Sequence, residues 1–187
     1  MTDLRTWLVD DVGDMKDRLS NQVLTHVPPD RRRERAAGGN SIVWNLFHAA
    51  RHAGLALWVL RGRPFEPGLS LDLSDWVATI GGGGLEEAEQ PWSEELDPVL
   101  VATLLGRTLD ETGRYLAEAP LDQLDVVPDV ATSLGLAGID VDRFGWLWKL
   151  WQDQPASFFV RWPLLGHVGN HLGEMIATRN QLGLSPF

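Results

Sequence analysis

Apolar residues recur every three to four positions along several long stretches of this chain, and no stretch alternates apolar and polar residues as a strand would. In the first stretch these residues are Leu4, Leu8, Val12, Met15, Leu19 and Val23. This spacing places the side chains on one face of an α-helix. The sequence therefore predicts an all-α protein whose first helix runs from Asp3 to about Val23.

Three further helices are predicted between capping residues and helix breakers. They run from Asn40 or Ser41 to about Arg61, from Asp97 to about Glu118, and from about Ser157 to Leu182. Asn, Ser and Asp side chains accept hydrogen bonds from the free N–H groups of a first turn, and Pro98 suits the first helical position. Gly183 is placed to end the last helix. Four helices of about 20 residues, joined by long crossover connections, predict a four-helix bundle that forms a single domain over residues 1–187.

The connections between these helices are unusually long. Residues 62–96 are rich in Gly, Pro and acids, and only Leu73 to Ile80 has a helical pattern. Gly81 to Gly84 have no Lys or Ser/Thr directly after them and no strand before them, which favours a mobile loop over a phosphate-binding loop. Residues 121–138 are predicted to be irregular, and a short helical piece is predicted to contain Phe144 to Trp151.

The charge balance argues against a nucleic-acid partner. The formal net charge is -10 at pH 7, whereas affinity for nucleic acid depends largely on Lys and Arg displacing counterions. The basic cluster from Arg31 to Arg35 follows two prolines and precedes two glycines, which indicates a solvated loop. Nucleic-acid binding is therefore not expected.

The chain contains no cysteine. This excludes disulfides, thiolate ligands and a cysteine nucleophile, so any thiol chemistry needs an external thiol. The amino terminus carries acids where a secretory signal needs a basic and then an apolar segment, and no apolar run approaches the roughly 20 residues that span a bilayer. We therefore expect a cytoplasmic protein with no membrane partner.

Three of the five histidines fall on predicted inward faces. His167 and His171 are four residues apart in the last helix, so both rings project from one face and can reach one ion. His48 lies in the second helix on a line of polar residues that includes Asn45 and His52. Burying such groups without partners would cost about 1 to 3 kcal/mol each, and a metal ion or its bound water would satisfy them. A transition metal is therefore one partner that these inward-facing histidines suggest.

The histidine pattern also allows other interpretations. A buried histidine is more often a hydrogen-bonded core residue than a ligand, and two histidines four residues apart also occur by chance. His52 makes a second such pair with His48 and can be a fourth ligand, a proton shuttle or a hydrogen-bond partner of a ligand. His26, beside Pro28 at the end of the first helix, is expected to have no part in the site.

Nine tryptophans are unusual for a chain of 187 residues. Five of them fall in two groups along the chain, which are Trp44 with Trp58, and Trp146 with Trp148 and Trp151. Such rings either line an apolar pocket or pack in the core or at a dimer interface, and packing is the commoner use.

The two histidine segments, HAARH from residue 48 and HVGNHLGEMIATRNQLG from residue 167, resemble those of the DinB-like (YfiT-type) metalloenzymes. The last helix of that family typically carries H-x-x-x-H-x-G-Q and ends near Q-L-G. The resemblance implies a four-helix bundle, often dimeric, that holds nickel or zinc through His48, His167 and His171. Glu174 stands where the family usually has Gln, which would put a carboxylate near the site. The insertions around Gly81 and over residues 121–156 exceed a minimal member of the family.

The resemblance also implies a class of reaction. Three neutral histidines leave a coordination position open, which is the mark of a catalytic site, and a divalent metal can activate water or hold a thiolate. Some relatives are transferases and isomerases that use mycothiol or bacillithiol. We therefore expect a thiol-dependent S-transferase or detoxification enzyme, a homodimer that acts on a small molecule and uses zinc or nickel, with iron as a third candidate. Asn45, His52 and Glu174 are the candidate catalytic residues, as acid/base groups or as supports of the ligands.

Two alternatives stay open at this point. The same site would suit a metal-dependent hydrolase. The chain would instead be a non-enzymic stress-response binding module if the histidines only satisfied hydrogen bonds in the core. Metal content and the dependence of turnover on thiol distinguish these readings.

Overall fold

The computed structural model describes residues 3–36, 38–63, 85–86 and 95–187. Within these ranges the secondary structure is helical and includes no strand, so the predicted all-α class is confirmed. The three long helices of the first two thirds of the chain are α1 (Leu4–Arg18), α2 (Ile42–Arg61) and α3 (Pro98–Glu118). A π-helical segment, Leu19–Leu24, extends α1. The helical pattern predicted for Leu73 to Ile80 and the loop predicted for Gly81 to Gly84 lie outside the described residues.

The bounds of α2 and α3 agree with the prediction because local caps set them. The Ser41 hydroxyl accepts a hydrogen bond of 3.1 Å from the backbone N–H of Trp44. Gly62, with a φ of 63°, ends α2 in the left-handed region that glycine adopts without strain. The Asp97 carboxylate accepts hydrogen bonds from the first free N–H groups of α3, as a capping carboxylate does.

The region predicted to be irregular contains two short helical elements. These are the 3₁₀ turn Leu121–Gln123 and the helix α4, Val130–Leu136. The prediction was wrong for α4, which begins where the Asp129 carboxylate accepts a 3.0 Å hydrogen bond from the Thr132 N–H. The predicted short helix is present as α5, Gly145–Trp151.

The last helix is continuous in extent but not uniform. It consists of α6 (Ala156–Phe159), a π-helical segment (Val160–Gly166) and α7 (His167–Gln181). Pro163 lies inside the π-helical segment and has no N–H to donate, and the N–H of His167 donates to the carbonyl of Trp162, five residues earlier. This widened segment ends directly before His167 and therefore sets the direction in which the His167 side chain projects.

The four long helices are α1, α2, α3 and α7, and each contacts two of the others. Helix α2 packs against α3 and α7, and α1 packs against the same two helices. Their buried apolar side chains form one hydrophobic cluster, to which α2 contributes along most of its length. Among the described helices, none combines the length and the apolar character needed to cross a bilayer. The packing brings the inner face of α2 directly against α7.

The basic cluster after the first helix is not simply a solvated loop. Arg32 is buried, which contradicts the prediction for that residue. Its guanidinium donates to the backbone oxygens of Leu24 at 3.2 Å, Val27 at 3.0 Å and Pro98 at 3.4 Å. Two of these carbonyls lie at the end of the first helix, where unpaired acceptors and the helix dipole favour a cation.

Candidate metal centre

The three predicted ligands converge, although they come from distant parts of the chain. The Nε2 atom of His167 lies 3.2 Å from Nε2 of His48 and 3.2 Å from Nε2 of His171. The ligand atoms of all three residues lie within 4.8 Å of one another. Two nitrogens bound to one ion at about 2.1 Å with a tetrahedral angle are about 3.4 Å apart, so the observed spacing suits a shared ion. The three histidines are close enough to bind a metal.

Two levels of structure produce this convergence. His167 and His171 begin α7 and lie one turn apart on its inner face, as their spacing dictates. His48 lies in the buried middle of α2, and only the packing of α2 on α7 brings its ring to the pair. Of the three, His48 and His171 are buried, whereas His167 is half-buried and forms the more open side.

The far nitrogen of His171 is held by two acceptors. Its Nδ1 lies 2.8 Å from Oδ1 of Asn45 and 3.2 Å from Oε2 of Glu174. The hydrogen bond with His171 lowers the pKa of Glu174, so this carboxylate is ionised at neutral pH and can only accept. The ring hydrogen therefore sits on Nδ1, and the Nε2 lone pair is free to face the other histidines. Ligand histidines are typically fixed in this way.

Burial keeps the rings of His167 and His52 in the neutral form. Burial, with a smaller electrostatic contribution from His171, lowers the pKa of His167 to about 4. Burial also lowers the pKa of His52 well below its usual value, with further contributions from the neighbouring histidines and Arg51. Both imidazoles are therefore neutral at neutral pH, as metal coordination requires.

His52 borders the cluster without joining the converging atoms. Its ring centroid lies 4.4 Å from that of His167 and 4.6 Å from that of His48, but it is not in the group whose ligand atoms converge. Its Nε2 atom, Nδ1 of His167 and Nδ2 of Asn45 are buried and have no hydrogen-bond partner among the described residues. Unpartnered buried polar atoms are uncommon and costly, and here three of them adjoin one cluster.

Tryptophans surround the histidines. Trp44 is buried and stacks on His48 with ring centroids 4.3 Å apart, and Trp151 meets His52 edge-on at 6.1 Å. Trp146 lies 6.1 Å from His52, and Trp162 lies 5.8 Å from His167. The other two residues of the predicted tryptophan groups, Trp58 and Trp148, are half-buried against the core.

The position of Trp162 beside the histidines was not predicted from the sequence. This residue precedes His167 by five residues, an interval that places two side chains on different faces of a regular α-helix. Pro163 directly after it was the available signal, because a proline inside a helix perturbs the turn around it. The hydrogen bond from His167 to the Trp162 carbonyl is the result of that perturbation.

Comparisons with known protein families, with characterised proteins and with solved structures give no match. The resemblance to the DinB-like family thus stays a prediction from two short segments. The chemistry of the site follows from its own donor set, which is three convergent imidazole nitrogens with two acceptors behind one of them.

Acidification is expected to destabilise the metal-free protein. The pKa of His167 is about 4 in the folded chain, whereas the ordinary value for a histidine is 6.5. The unfolded chain therefore binds more protons between these two values, so stability that is complete above about pH 6.5 is lost progressively as the pH falls from about 6.5 to about 4. The urea midpoint of EDTA-treated protein should fall more between about pH 7 and pH 5 for the wild type than for His167→Gln. If the urea midpoint fell equally in the two proteins, protonation of His167 would not be the cause of the lost stability.

Removing the acceptors behind His171 is expected to weaken metal binding. Asn45→Leu and Glu174→Ala should each lower the affinity about 10- to 100-fold, because the ring and its tautomer would no longer be fixed. Titration against a chelator of known affinity measures this, with Glu118→Ala, an exposed glutamate at the end of α3, as the matched control. Unchanged affinity in a folded Asn45→Leu variant would contradict the positioning role.

Proposed function

We propose that this chain is a metal-dependent enzyme in which the Nε2 atoms of His48, His167 and His171 hold one divalent transition metal. The observation that carries the proposal is the 3.2 Å spacing of these nitrogens from His167 to each of the other two rings. Imidazole donors suit zinc, nickel and iron, and we propose zinc or nickel first. Three protein ligands leave room for a substrate atom at the ion.

The arrangement of the helices supports the DinB-like part of the proposal. One ligand lies on the second long helix and two on the last, as the resemblance implies. Helices α1, α2, α3 and α7 each contact two of the others, which is the contact pattern of a four-helix bundle. The homodimer is proposed on the same resemblance.

The proposed reaction is transfer of an external thiol to an electrophile. A bound divalent ion would supply Lewis-acid chemistry, lowering the pKa of a coordinated thiol or water and polarising an electrophile. The chain has no cysteine, so the sulfur belongs to a cosubstrate such as mycothiol or bacillithiol. In the transfer the thiol releases its proton to solvent, a sulfur–carbon bond forms at the electrophile, and the leaving group takes the electron pair of the bond that breaks.

The residues around the ligands have supporting roles in this proposal. Asn45 and Glu174 accept from Nδ1 of His171 and so orient the ligand. Glu174 is ionised, which removes it as a general acid at neutral pH. The lowered pKa of His52 makes it a poor proton acceptor, so we assign it a neutral hydrogen-bonding role.

Turnover with and without thiol tests the proposal. Metal-loaded protein is incubated with 1-chloro-2,4-dinitrobenzene in the presence of mycothiol or bacillithiol, and in parallel with p-nitrophenyl acetate and no thiol. We expect thiol conjugation above the uncatalysed rate that disappears on chelation and in His171→Ala. If the protein hydrolyses the ester and gives no thiol conjugation, a metal-dependent hydrolase replaces the proposed transferase. Bound metal without either activity would favour a non-enzymic binding module.

A further inference from the structure

Two exposed tryptophans border the open side of the histidine cluster. Trp146 on α5 is 41% exposed, and Trp162 in the π-helical segment is 38% exposed. Trp146 lies 6.1 Å from the His52 ring and Trp162 lies 5.8 Å from the His167 ring. The rings of His52 and His167 are only 4.4 Å apart, so both tryptophans border the same end of the cluster.

Trp146 is held by a hydrogen bond, and Trp162 lies close against the backbone turn that precedes His167. The Nε1 of Trp146 donates a 3.2 Å hydrogen bond to Oε1 of Glu86. A Cβ at Gly166 would lie 3.1 Å from Cε3 of Trp162 and 3.0 Å from the Arg161 carbonyl oxygen. Glycine at 166 therefore gives the Trp162 ring room to lie against the turn that precedes His167.

Holding large apolar rings at the surface forgoes the stabilisation that their burial would give. A ring that is both fixed and exposed beside a polar cluster is typical of a ligand-binding site, which combines apolar walls with a few convergent polar groups. Here the convergent groups are the three histidine nitrogens. The two tryptophans are the exposed apolar surface next to them.

We infer that the substrate carries a neutral aromatic group that packs on Trp146 and Trp162 while its reactive end faces the three histidines. This inference rests on the proposed function, because the histidines must hold a metal for a reactive end to be directed there. Aromatic rings pair favourably with tryptophan in offset or edge-on arrangements.

Positive charges near the two tryptophans disfavour a cationic ligand. Cationic groups also bind over tryptophan faces. A divalent ion at the histidines would repel such a group at this short range, and Arg51 adds a further positive charge close to His52. A neutral ring meets neither repulsion, and an anionic ring would lie close to the Glu86 carboxyl group that accepts from Trp146.

Two metal-directed probes that differ in one group test the inference. Acetohydroxamate and benzohydroxamate carry the same chelating group, with a methyl in one and a phenyl in the other. Their binding to cobalt(II)-loaded protein is followed by the visible absorption of the ion. We expect benzohydroxamate to bind about tenfold more tightly, and this preference to fall to about twofold or less in the Trp146→Ala/Trp162→Ala double variant.

The control is the same substitution at another exposed tryptophan. Trp7 is 55% exposed on α1 and makes no ring contact with a histidine among the described residues, so Trp7→Ala should keep the tenfold preference.

If the double variant loses cobalt, the single variants Trp146→Leu and Trp162→Leu keep the apolar bulk and should each lower the preference. Equal binding of the two probes, or a preference that survives in all these variants, would overturn the inference while cobalt uptake still supports the metal site. A protein that takes up no cobalt overturns the proposed function and this inference with it.

Discussion

Replacing His171 with alanine is expected to reduce the metal content of the protein from about one ion per chain to background. The substitution removes one of three convergent nitrogens and also the ring that Asn45 and Glu174 hold in place. His167→Ala should have the same effect, because its Nε2 lies 3.2 Å from both other ligand nitrogens. Elemental analysis after equilibrium dialysis against zinc or nickel measures the ratio of metal to protein.

His26 provides the matched control for this experiment. It lies at the end of the first helix and is not in the converging group. His26→Ala should therefore keep the metal content of the wild type, which separates loss of the site from loss of any surface histidine. Equal metal content in His171→Ala and in the wild type would show that the three histidines do not form the metal site.

The second large expected effect is stabilisation of the fold by metal. With free zinc or nickel about 1,000 times above the dissociation constant, the free energy of unfolding should rise by about 4 kcal/mol. His48 and His167 are 119 residues apart in sequence, so the unfolded chain has no preformed site and binding favours the folded state. Urea unfolding with and without metal measures the difference.

The variant His171→Ala should show little of this stabilisation. If metal shifted its unfolding midpoint as much as that of the wild type, the ion would be acting elsewhere. A wild type that binds metal at the histidines without any gain in stability would also contradict the linkage.

Local sequence information was sufficient for the parts of the site that lie within one helix. Spacing alone placed His167 and His171 on one face of a helix, and Ser41 and Asp97 located helix starts because capping is a local interaction. The position of His48 relative to that pair depends on packing between α2 and α7, which local spacing does not encode. The polar line through Asn45 and His48 indicated an inward-facing group, and the resemblance supplied the pairing with the last helix.

The missed features depend on contacts between distant segments or on irregular backbone. The place of Trp162 beside His167 results from the π-helical segment around Pro163, and a regular helical wheel assigns these residues to different faces. Arg32 is buried because carbonyls at the end of the first helix and at Pro98 need a donor, which a count of charges does not reveal. The role of Glu174 depends on which nitrogen of His171 it contacts, and that is a matter of side-chain geometry.

A crystal structure of the zinc- or nickel-loaded protein, with anomalous scattering recorded at the absorption edge of the metal, would show whether the three histidines share one ion. We expect one anomalous peak about 2.0 to 2.1 Å from the Nε2 atoms of His48, His167 and His171, with a further coordination position that no protein atom fills. A peak bound to other residues, or one that leaves the His48 ring uncoordinated, would contradict this expectation.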